Sequence, residues 1–488
     1  MIKGTKQQEA IWEAIENSND DIVVNAGAGT GKTFTIVEAS GRLPSYLKMG
    51  FLCFNKSIQK ELQERLPEGV DAKTFHALGM ASFYKNGVKP KVNQYKVKNI
   101  IDDNINLGRD YTSTYPLVKL IGLIKGSMID CKNEEAVRGL IDYYDIEFKT
   151  MLDETLALEN ICDILDECKS QTKNIDFDDM IWLPLVLNWT LPKFDVLFVD
   201  EAQDFNEMQR ELIVRCTTNG RCIIVGDKNQ AIYGFRGADS NSMGIFSEQL
   251  EKLGKKVRHF PMTLTWRCPK SVIKEANRYV KDFNGLETAE EGTVNVNAYF
   301  NPTKGDLVLC RYNAPLVSAF YDLLTQGKSA YINGRDMHKG LVNAVNKITT
   351  HANMSSKEFS ELLEIDFTTQ YMRLVNAKKQ NQANSLEDKV NCIRIFISRA
   401  DTVGGIIVEI ERLFKGKINK YNPHSEGDIM LSTVHKAKGL EADNVYILTP
   451  ERMPHPKATN PQEERNICYV AITRAKKNLY YCGERPKN

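Results

Sequence analysis

The residues from Ala26 to Thr33, Ala-Gly-Ala-Gly-Thr-Gly-Lys-Thr, have the composition of a phosphate-binding loop. They follow an apolar run at 21–25 that is typical of a buried parallel strand, and they precede a helical pattern. Glycines let a backbone curl until its N–H groups face phosphate oxygens at a helix N-terminus. We therefore expect Lys32 to reach the β- and γ-phosphates of ATP and the Thr33 hydroxyl to bind Mg²⁺.

Every residue of this loop is predicted to contact the nucleotide: Ala26, Gly27, Ala28, Gly29, Thr30, Gly31, Lys32 and Thr33. Ala26 stands where the P-loop pattern has glycine. A glycine-rich turn between a strand and a helix, with no ligand, is the alternative interpretation. The complete Gly-Lys-Thr ending in this context favours the phosphate site.

Two acidic residues, Asp200 and Glu201, end another apolar run at 196–199. We expect Asp200 to hold Mg²⁺ through water and Glu201 to polarise the water that attacks the γ-phosphate. Acids at the end of a strand are common in proteins where they have no catalytic role. Together with the phosphate loop, however, the pair predicts an ATP hydrolase.

The segments that must position these residues alternate between apolar runs and helical patterns. Strand-like runs occur at 21–25, 49–54, 196–199, 222–225, 307–310, 429–432, 445–448 and 479–481. Strands that alternate with helices indicate an α/β architecture with parallel sheets. A second such unit is predicted to start near Val257.

Two long stretches interrupt this alternation, because they lack clear strand runs and show helical spacing. We predict that each α/β unit carries a mainly helical insertion. The predicted divisions are 1–88 with 172–255 for the first unit, 89–171 for its insertion, 256–335 with 422–488 for the second unit, and 336–421 for its insertion.

Composition excludes several other classes of protein. The chain has 488 residues, and 64 Lys+Arg against 63 Asp+Glu leave a net charge of +1, so any surface that binds nucleic acid must be local. No apolar run approaches the roughly 20 residues that span a bilayer, and the N-terminus lacks the apolar core of a secretory signal. Eleven cysteines without a C-x-x-C pair predict buried reduced thiols and argue against a zinc or iron–sulfur site.

The segment Asp200-Glu201-Ala202-Gln203-Asp204 resembles motif II of superfamily 1A helicases of the UvrD/Rep/PcrA type. Other motifs of that family follow in order along nearly the whole chain. Similar segments lie at 6–11 (Q motif), 55–56 (Ia), 74–76 (Ib), 176–179, 225–238 (III), 265–268 (IV), 433–441 (V) and 469–475 (VI). The amino-acid sequence at 54–58 is also similar to that of the F-box DNA helicase branch.

The resemblance implies two RecA-like P-loop domains and an ATP-dependent DNA helicase that moves 3′ to 5′. It assigns adenine recognition to Gln7 and ribose contact to Glu441. Gln230 is expected to sense the γ-phosphate and to link it to the DNA site. Arg267 and Arg474 are expected to act as arginine fingers, since a planar guanidinium stabilises the charge that builds on the γ-phosphoryl oxygens.

The resemblance also implies that single-stranded DNA crosses both units, with bases stacked on aromatic rings. The residues predicted to contact DNA are Asn55, Thr74, Phe75, His76, Tyr233, Phe235 and His435. Core packing is the alternative role for Phe75 and Tyr233. Phe235 replaces the family's usual tryptophan, and it keeps a stacking face of smaller area.

Five lysines near the start of the first insertion form a separate basic cluster: Lys85, Lys89, Lys91, Lys96 and Lys98. They could hold duplex DNA ahead of the motor, but a solvated lysine-rich loop is the favoured interpretation.

We interpret the chain as an ATP-dependent motor that acts on single-stranded DNA and on single-strand/duplex junctions during DNA repair or replication. One alternative is a translocase that strips proteins from DNA or powers a partner nuclease while unwinding little. Another is a silent scaffold, which requires loss of Lys32, Glu201 or Arg474, and all three are present. No membrane association or fused nuclease is expected, and the predicted location is cytoplasmic, or nuclear in a eukaryote.

Overall fold

The computed structural model describes residues 4–53, 56–104, 111–144, 146, 148, 150–234, 241–333, 335–377, 379–415, 428–458 and 460–486. The chain divides into two compact units, Met1–Met262 and Thr263–Asn488. Among the described residues, no helix combines the length and apolar character that a membrane crossing requires. The predicted α/β fold class with two parallel-sheet units is confirmed.

The strands of the first unit are β1 (Asp21–Ala26), β2 (Met49–Cys53), β3 (Asp71–Thr74), β4 (Lys91–Val92), β5 (Asn174–Ile175), β6 (Val196–Val199), β7 (Arg221–Gly226) and β8 (Val257–Met262). Six of them form a parallel sheet in the order β3-β2-β6-β7-β1-β8, and β4 pairs with β5. The central strands are buried on both faces, which explains why they appear in the sequence as continuous apolar runs.

The helices of the first unit are α1 (Lys6–Asn17), α2 (Lys32–Arg42), α3 (Lys56–Gln63), α4 (Phe75–Lys85), α5 (Lys96–Asn104), α6 (Tyr111–Ser127), α7 (Glu134–Tyr143), α8 (Met151–Ser170), α9 (Asp179–Val186), α10 (Glu207–Cys216) and α11 (Ser242–Lys252). Alternate residues of each strand enter different cores. Ile22 and Phe198 pack with α1 and α2, whereas Leu197 and Ile224 pack with the insertion helices α5 to α8.

The strand β8 lies at the edge of the first sheet, where it pairs with β1 from Asp21↔Val257 to Ala26↔Met262. The sequence analysis assigned this segment to the second unit. The predicted boundary at 255/256 is therefore wrong, and the compact units separate after Met262. An edge strand is half exposed and so lacks the continuous apolar run of a central strand.

The second unit contains β9 (Leu264–Thr265), β10 (Asn284–Gly285), β11 (Thr293–Asn295), β12 (Leu307–Cys310), β13 (Ala330–Ile332), β14 (Ile429–Thr433), β15 (Ala442–Leu448) and β16 (Ala475–Cys482). Six strands form a parallel sheet in the order β11-β16-β15-β12-β14-β13. Its helices are α12 (Lys270–Ala276), α13 (Ala314–Thr325), α14 (Arg335–Ile348), α15 (Ser356–Asn376), α16 (Gln380–Ile397), α17 (Val403–Lys415) and α18 (Pro461–Ile472).

The helices α14 to α17 share one apolar core with the second sheet. Leu341 of α14, Phe359 of α15 and Phe396 of α16 belong to the same buried cluster as Val308 and Leu431 of the sheet. Hydrophobic burial thus attaches this helical insertion directly to the α/β unit.

Two of the eleven cysteines, Cys131 and Cys162, form a disulfide with their Cα atoms 5.5 Å apart. The prediction of reduced thiols is wrong for this pair. The other nine cysteines are free, and eight of these are buried.

Four buried charges join the first insertion to its α/β unit. The ammonium of Lys96 contacts Asp179 at 2.7 Å, and that of Lys125 contacts Asp176 and Asp179 at 2.8 Å each. Burial alone lowers the pKa of Lys125, but the two carboxylates reverse this effect and raise it. Lys96 is fully buried, which corrects its assignment to a solvated basic cluster, whereas Lys85, Lys89 and Lys91 are exposed.

Replacing Lys125 with methionine should destabilise the first unit by roughly 3–5 kcal/mol, since two buried carboxylates lose their cation. Urea unfolding measures the change. The control is Lys98→Met on α5, whose ion pair with Asp102 is partly exposed and should contribute under about 1 kcal/mol. Equal midpoints for the two variants would contradict a stabilising role for the buried charges.

Candidate nucleotide and nucleic-acid site

Three neighbouring strands bring the predicted nucleotide residues to one edge of the first sheet. β7 lies between β1 and β6, and all three run parallel. The phosphate loop follows β1, Asp200 follows β6, and Asp227 follows β7. Since the carboxyl ends of parallel strands share an edge, residues far apart in sequence meet there.

The phosphate loop has the backbone conformation that its glycines predict. Gly29 has φ +68° and Gly31 φ +84°, both in the left-handed region that favours glycine. The Thr30 hydroxyl donates to the carbonyl of Gly27 at 2.9 Å and closes the turn. Gly31 caps α2 without a side-chain hydrogen bond, so the first N–H groups of the helix have no side-chain cap to compete with a phosphate.

The side chains of the loop meet those of the β6 edge. The Thr33 hydroxyl donates to Asp200 at 2.7 Å, and Lys32 Nζ lies 3.9 Å from Glu201 Oε1. The backbone N–H of Glu201 donates to Asp200 Oδ1 at 2.8 Å. Glu201 itself has φ +58°, an uncommon conformation for a residue with a side chain.

Burial raises the pKa of Asp200 to about 6, and the nearby charge of Glu201 adds to the effect, whereas Lys32 and Thr33 oppose it. A divalent cation at this carboxylate would favour its charged form. Within the described ranges, no group of three or more His, Cys, Asp or Glu side chains could hold a metal. The Thr33 hydroxyl and the Asp200 carboxylate are oxygen ligands of the kind that Mg²⁺ takes.

The edge of β7 contributes Asp227 and Gln230. Gln230 is buried, and its amide donates to Asp227 Oδ2 at 2.8 Å. Burial raises the pKa of Asp227, while the charge of Lys32 opposes that shift. The electrostatic influence of Lys32 places this pair beside the phosphate loop.

The helix α1 is attached to α2 behind the loop. The buried amide of Gln8 donates to Thr35 Oγ1 at 3.0 Å, and Trp12 Nε1 donates to the Thr35 carbonyl at 2.9 Å. Gln7, the residue predicted to read adenine, lies half-buried on the same helix. These contacts fix the position of α1 relative to the phosphate loop.

The second unit carries three residues that are predicted to contact the nucleotide, Arg267, Glu441 and Arg474. Arg267 Nε lies 2.6 Å from Glu441 Oε2 in an ion pair. Arg474 is almost fully buried, and its guanidinium donates to the carbonyls of Val470 at 2.9 Å and Leu440 at 3.1 Å. In this conformation both arginines bind acceptors within their own unit.

The residues predicted to contact DNA differ in their burial and in their contacts. Phe75 is buried and packs edge-on against Phe205 with ring centroids 5.0 Å apart, so it is a core residue and its predicted DNA contact is wrong. Thr74 caps α4 by accepting the Ala77 N–H at 3.2 Å, and His76 is exposed.

Tyr233 and His435 are half-buried. Asn55 and Phe235 lie outside the described residues.

Two exposed rings beside these sites were not identified from the sequence. Phe177 is 54% exposed and contacts His76 edge-on, with centroids 6.2 Å apart. Trp266 is 58% exposed and immediately precedes Arg267. Exposure alone is no signal, since several tyrosines elsewhere are exposed as well, but the positions of Phe177 and Trp266 inside the matched motifs could have identified both rings.

The chain matches two family descriptions along nearly its whole length. Residues 7–251 match the UvrD/REP helicase N-terminal domain, and residues 227–483 match the UvrD-like helicase C-terminal domain. F-box DNA helicase protein 1 of Schizosaccharomyces pombe is 24% identical, over 97% of this chain and 57% of its own length. The ATP-dependent DNA helicase PcrA of Staphylococcus epidermidis is 23% identical, over 98% of this chain and 83% of its own.

Among solved structures, Arterivirus nonstructural protein 10, a helicase in complex with DNA, has a TM-score of 0.36 and 11% identity. The alignment covers 94% of this chain and 60% of that one.

Replacing Glu201 with glutamine should leave ATP binding nearly unchanged and slow hydrolysis by roughly 10²-fold or more, because an amide cannot accept a proton from water. Equilibrium binding of labelled ATP and release of phosphate measure the two effects separately. Glu251→Gln, an exposed change on α11, is the matched control and should behave as the parent. Hydrolysis by Glu201→Gln at the parent rate would remove Glu201 from its predicted role.

Proposed function

We propose, since the chain belongs to the UvrD/REP helicase family, that it is an ATP-dependent DNA helicase that translocates on single-stranded DNA. ATP hydrolysis supplies the free energy for movement and for separating duplex strands. The proposed direction is 3′ to 5′, by resemblance to the family. Processes that expose single strands, such as DNA repair and replication, suit this activity.

The observation that carries the proposal is the joint placement of Lys32, Thr33, Asp200 and Glu201. Thr33 hydrogen-bonds Asp200 at 2.7 Å, and Lys32 lies 3.9 Å from Glu201. A helix N-terminus, a lysine, a buried aspartate and a partly exposed glutamate at one sheet edge are what phosphoryl transfer to water requires. A scaffold without ATPase activity would gain nothing from burying the carboxylate of Asp200, because burying a charge costs free energy.

In the proposed reaction, the N–H groups at the start of α2 bind the phosphate oxygens and Lys32 neutralises their charge. Removing electrostatic stabilisation of this kind costs roughly 10²–10³-fold in rate. Glu201 holds the attacking water and takes its proton as the water oxygen bonds to the γ-phosphorus, while the bond from that phosphorus to the β–γ bridging oxygen breaks and ADP leaves. Thr33 and Asp200 would hold Mg²⁺, which would supply positive charge to the phosphates.

The remaining nucleotide roles follow from the resemblance and stand as proposals. Gln7 recognises adenine, Gln230 senses the γ-phosphate, and Glu441 contacts the ribose. Arg267 and Arg474 stabilise the charge of the γ-phosphate during hydrolysis. The exposed ring of Trp266, next to Arg267, is suited to stack on a nucleobase.

We further propose that His76 and Phe177 contribute to the strand-binding surface of the first unit. They form an exposed aromatic pair, and every base offers a face that can stack on such a ring. Tyr233 and His435, together with Asn55, Thr74 and Phe235, complete the set that the resemblance assigns to DNA. Thr74 acts there mainly through the position it gives to His76, since its hydroxyl caps α4.

The domain roles follow the same reasoning. The first α/β unit, with its insertion near 89–171, binds ATP. The second, with its insertion near 336–421, carries the arginines.

Strand-displacement and ATPase assays on 3′-tailed, 5′-tailed and blunt duplexes test the proposal. We expect DNA-stimulated hydrolysis and unwinding of the 3′-tailed substrate. Hydrolysis with movement along single strands but little unwinding would favour the alternative, a translocase that strips proteins or serves a partner nuclease. Equal activity on both tails, or hydrolysis indifferent to DNA, would overturn the main proposal.

Replacing Phe177 with alanine should weaken single-strand binding by about 1–3 kcal/mol, the contribution of one stacked base, and leave DNA-free ATP hydrolysis unchanged. Fluorescence anisotropy with a labelled oligonucleotide measures the affinity. Tyr46→Ala is the matched control, because that ring is 83% exposed in the segment before β2, away from the matched motifs. Parent-like affinity in Phe177→Ala would exclude this ring from the DNA site.

A further inference from the structure

The buried side chain of Gln203 links the two strand edges that carry the hydrolytic residues. Gln203 is 1% exposed and lies in the short turn that follows Glu201. Its amide nitrogen donates to Glu201 Oε2, and its amide oxygen accepts the backbone N–H of Asp227 at 2.9 Å. One amide thus joins the β6 edge to the β7 edge.

The link continues to the residue that is expected to sense the γ-phosphate. The carboxylate of Asp227 accepts the Gln230 amide at 2.8 Å and the Asn229 N–H at 3.0 Å. An uninterrupted chain of hydrogen bonds therefore runs from Glu201 through Gln203 and Asp227 to Gln230. The segment that continues from Gln230 leads to Tyr233, one of the proposed DNA contacts.

The neighbouring backbone is shaped to admit this side chain. A β-carbon at Gly226 would lie 2.6 Å from Gln203 Oε1, closer than real β-carbons approach an oxygen. Glycine at the end of β7 thus permits the bond between Gln203 and the Asp227 N–H. The two oxygens of Glu201 are also differentiated, since Oε1 faces Lys32 and Oε2 accepts the Gln203 amide.

We propose that Gln203 is a positioning residue that orients Glu201 for water activation and couples this orientation to the β7 segment that responds to DNA. The inference rests on the proposed function. When the segment after β7 moves on binding DNA, the Asp227 N–H moves with it, and the Gln203 amide transmits the displacement to Glu201. A donor that holds Oε2 fixes the direction of the carboxylate, whose Oε1 faces Lys32 and would accept the proton of water.

The chemistry of an amide explains why another residue type would not serve. Glutamine donates through nitrogen and accepts through oxygen, so it satisfies a carboxylate on one side and a backbone N–H on the other. Glutamate at this position could still accept the Asp227 N–H, but it would bring a like charge to Glu201. Methionine has a similar size and can make neither bond.

The test compares Gln203→Met and Gln203→Glu with the parent, using ATPase rates with and without single-stranded DNA. We expect kcat to fall about 10-fold in Gln203→Met, part of the 10²–10⁴-fold that a general base supplies, with KM for ATP little changed. The stimulation by DNA should fall towards unity. A purely structural role would lower stability without changing the stimulation ratio.

The Gln203→Glu variant keeps the size of the side chain and can still accept the Asp227 N–H, but it cannot donate to Glu201 and places a like charge beside it. We therefore expect kcat and the stimulation by DNA to fall as in Gln203→Met, while KM for ATP stays near the parent value. Gly226→Ala should reproduce the loss of stimulation, since its β-carbon displaces the Gln203 oxygen. Gln209→Met on α10, whose side chain accepts the Asn206 N–H at 3.1 Å outside this chain of bonds, is the control.

Unchanged stimulation by DNA in folded Gln203→Met, or a parent-like kcat in folded Gln203→Glu, would overturn the inference. If neither variant folds, Gln203 is a structural residue and the proposal is likewise wrong. Failure of the underlying function is separate, because it appears as a parent protein whose hydrolysis does not depend on Glu201 or on DNA.

Discussion

The hydrogen bond between Thr33 and the buried carboxylate of Asp200 is the contact on which the nucleotide side of the first unit depends. It joins residues 167 positions apart, at 2.7 Å, across the end of β7. A carboxylate buried this deeply is costly unless it has partners, and burial accordingly raises the pKa of Asp200 to about 6. The hydroxyl of Thr33 and the charge of Lys32 both oppose that shift. The sheet supplies the geometry, because three parallel strands must end at one edge for these groups to meet.

A second set of buried charges flanks Phe177, the exposed ring proposed to contact DNA. Asp176 and Asp179 point inward to Lys125 of the insertion, whereas Phe177, between them in sequence, points outward. The ion pairs fix the backbone that carries the exposed ring, and the ring in turn contacts His76. Buried ion pairs are a poor source of net stability, but they penalise every alternative arrangement in which a charge loses its partner. Their contribution here is to hold the insertion and the segment before α9 in one register.

The central strands and the phosphate loop could be predicted from the sequence because their signals are local. A strand buried on both faces is a continuous apolar run, and a glycine-rich turn before a helix has few alternative uses. The errors arose where tertiary packing decides the outcome. Phe75 and Lys96 have polar or exposed neighbours in sequence, yet both are buried by contacts with distant segments. The edge strand β8 was assigned to the wrong unit, since the pairing of its residues with β1 leaves no trace in composition.

A motif identifies the chemistry that a residue can perform but not the contacts that it makes in a given conformation. Two arginines of the second unit show this difference. Arg267 is paired with Glu441, and Arg474 donates to two backbone carbonyls. Each guanidinium already has acceptors, so a phosphate that binds it must displace them. The net gain in binding free energy is the difference between the new and the displaced interactions. A phosphate carries more negative charge than a carboxylate and can accept two hydrogen bonds from a guanidinium equally well. Replacement of Glu441 by a phosphate at Arg267 therefore becomes more favourable as negative charge builds on the phosphate. Interactions that strengthen only as charge develops accelerate a reaction without tightening the ground state. The contacts of these two arginines therefore agree with the role proposed for them, which is to act late in hydrolysis.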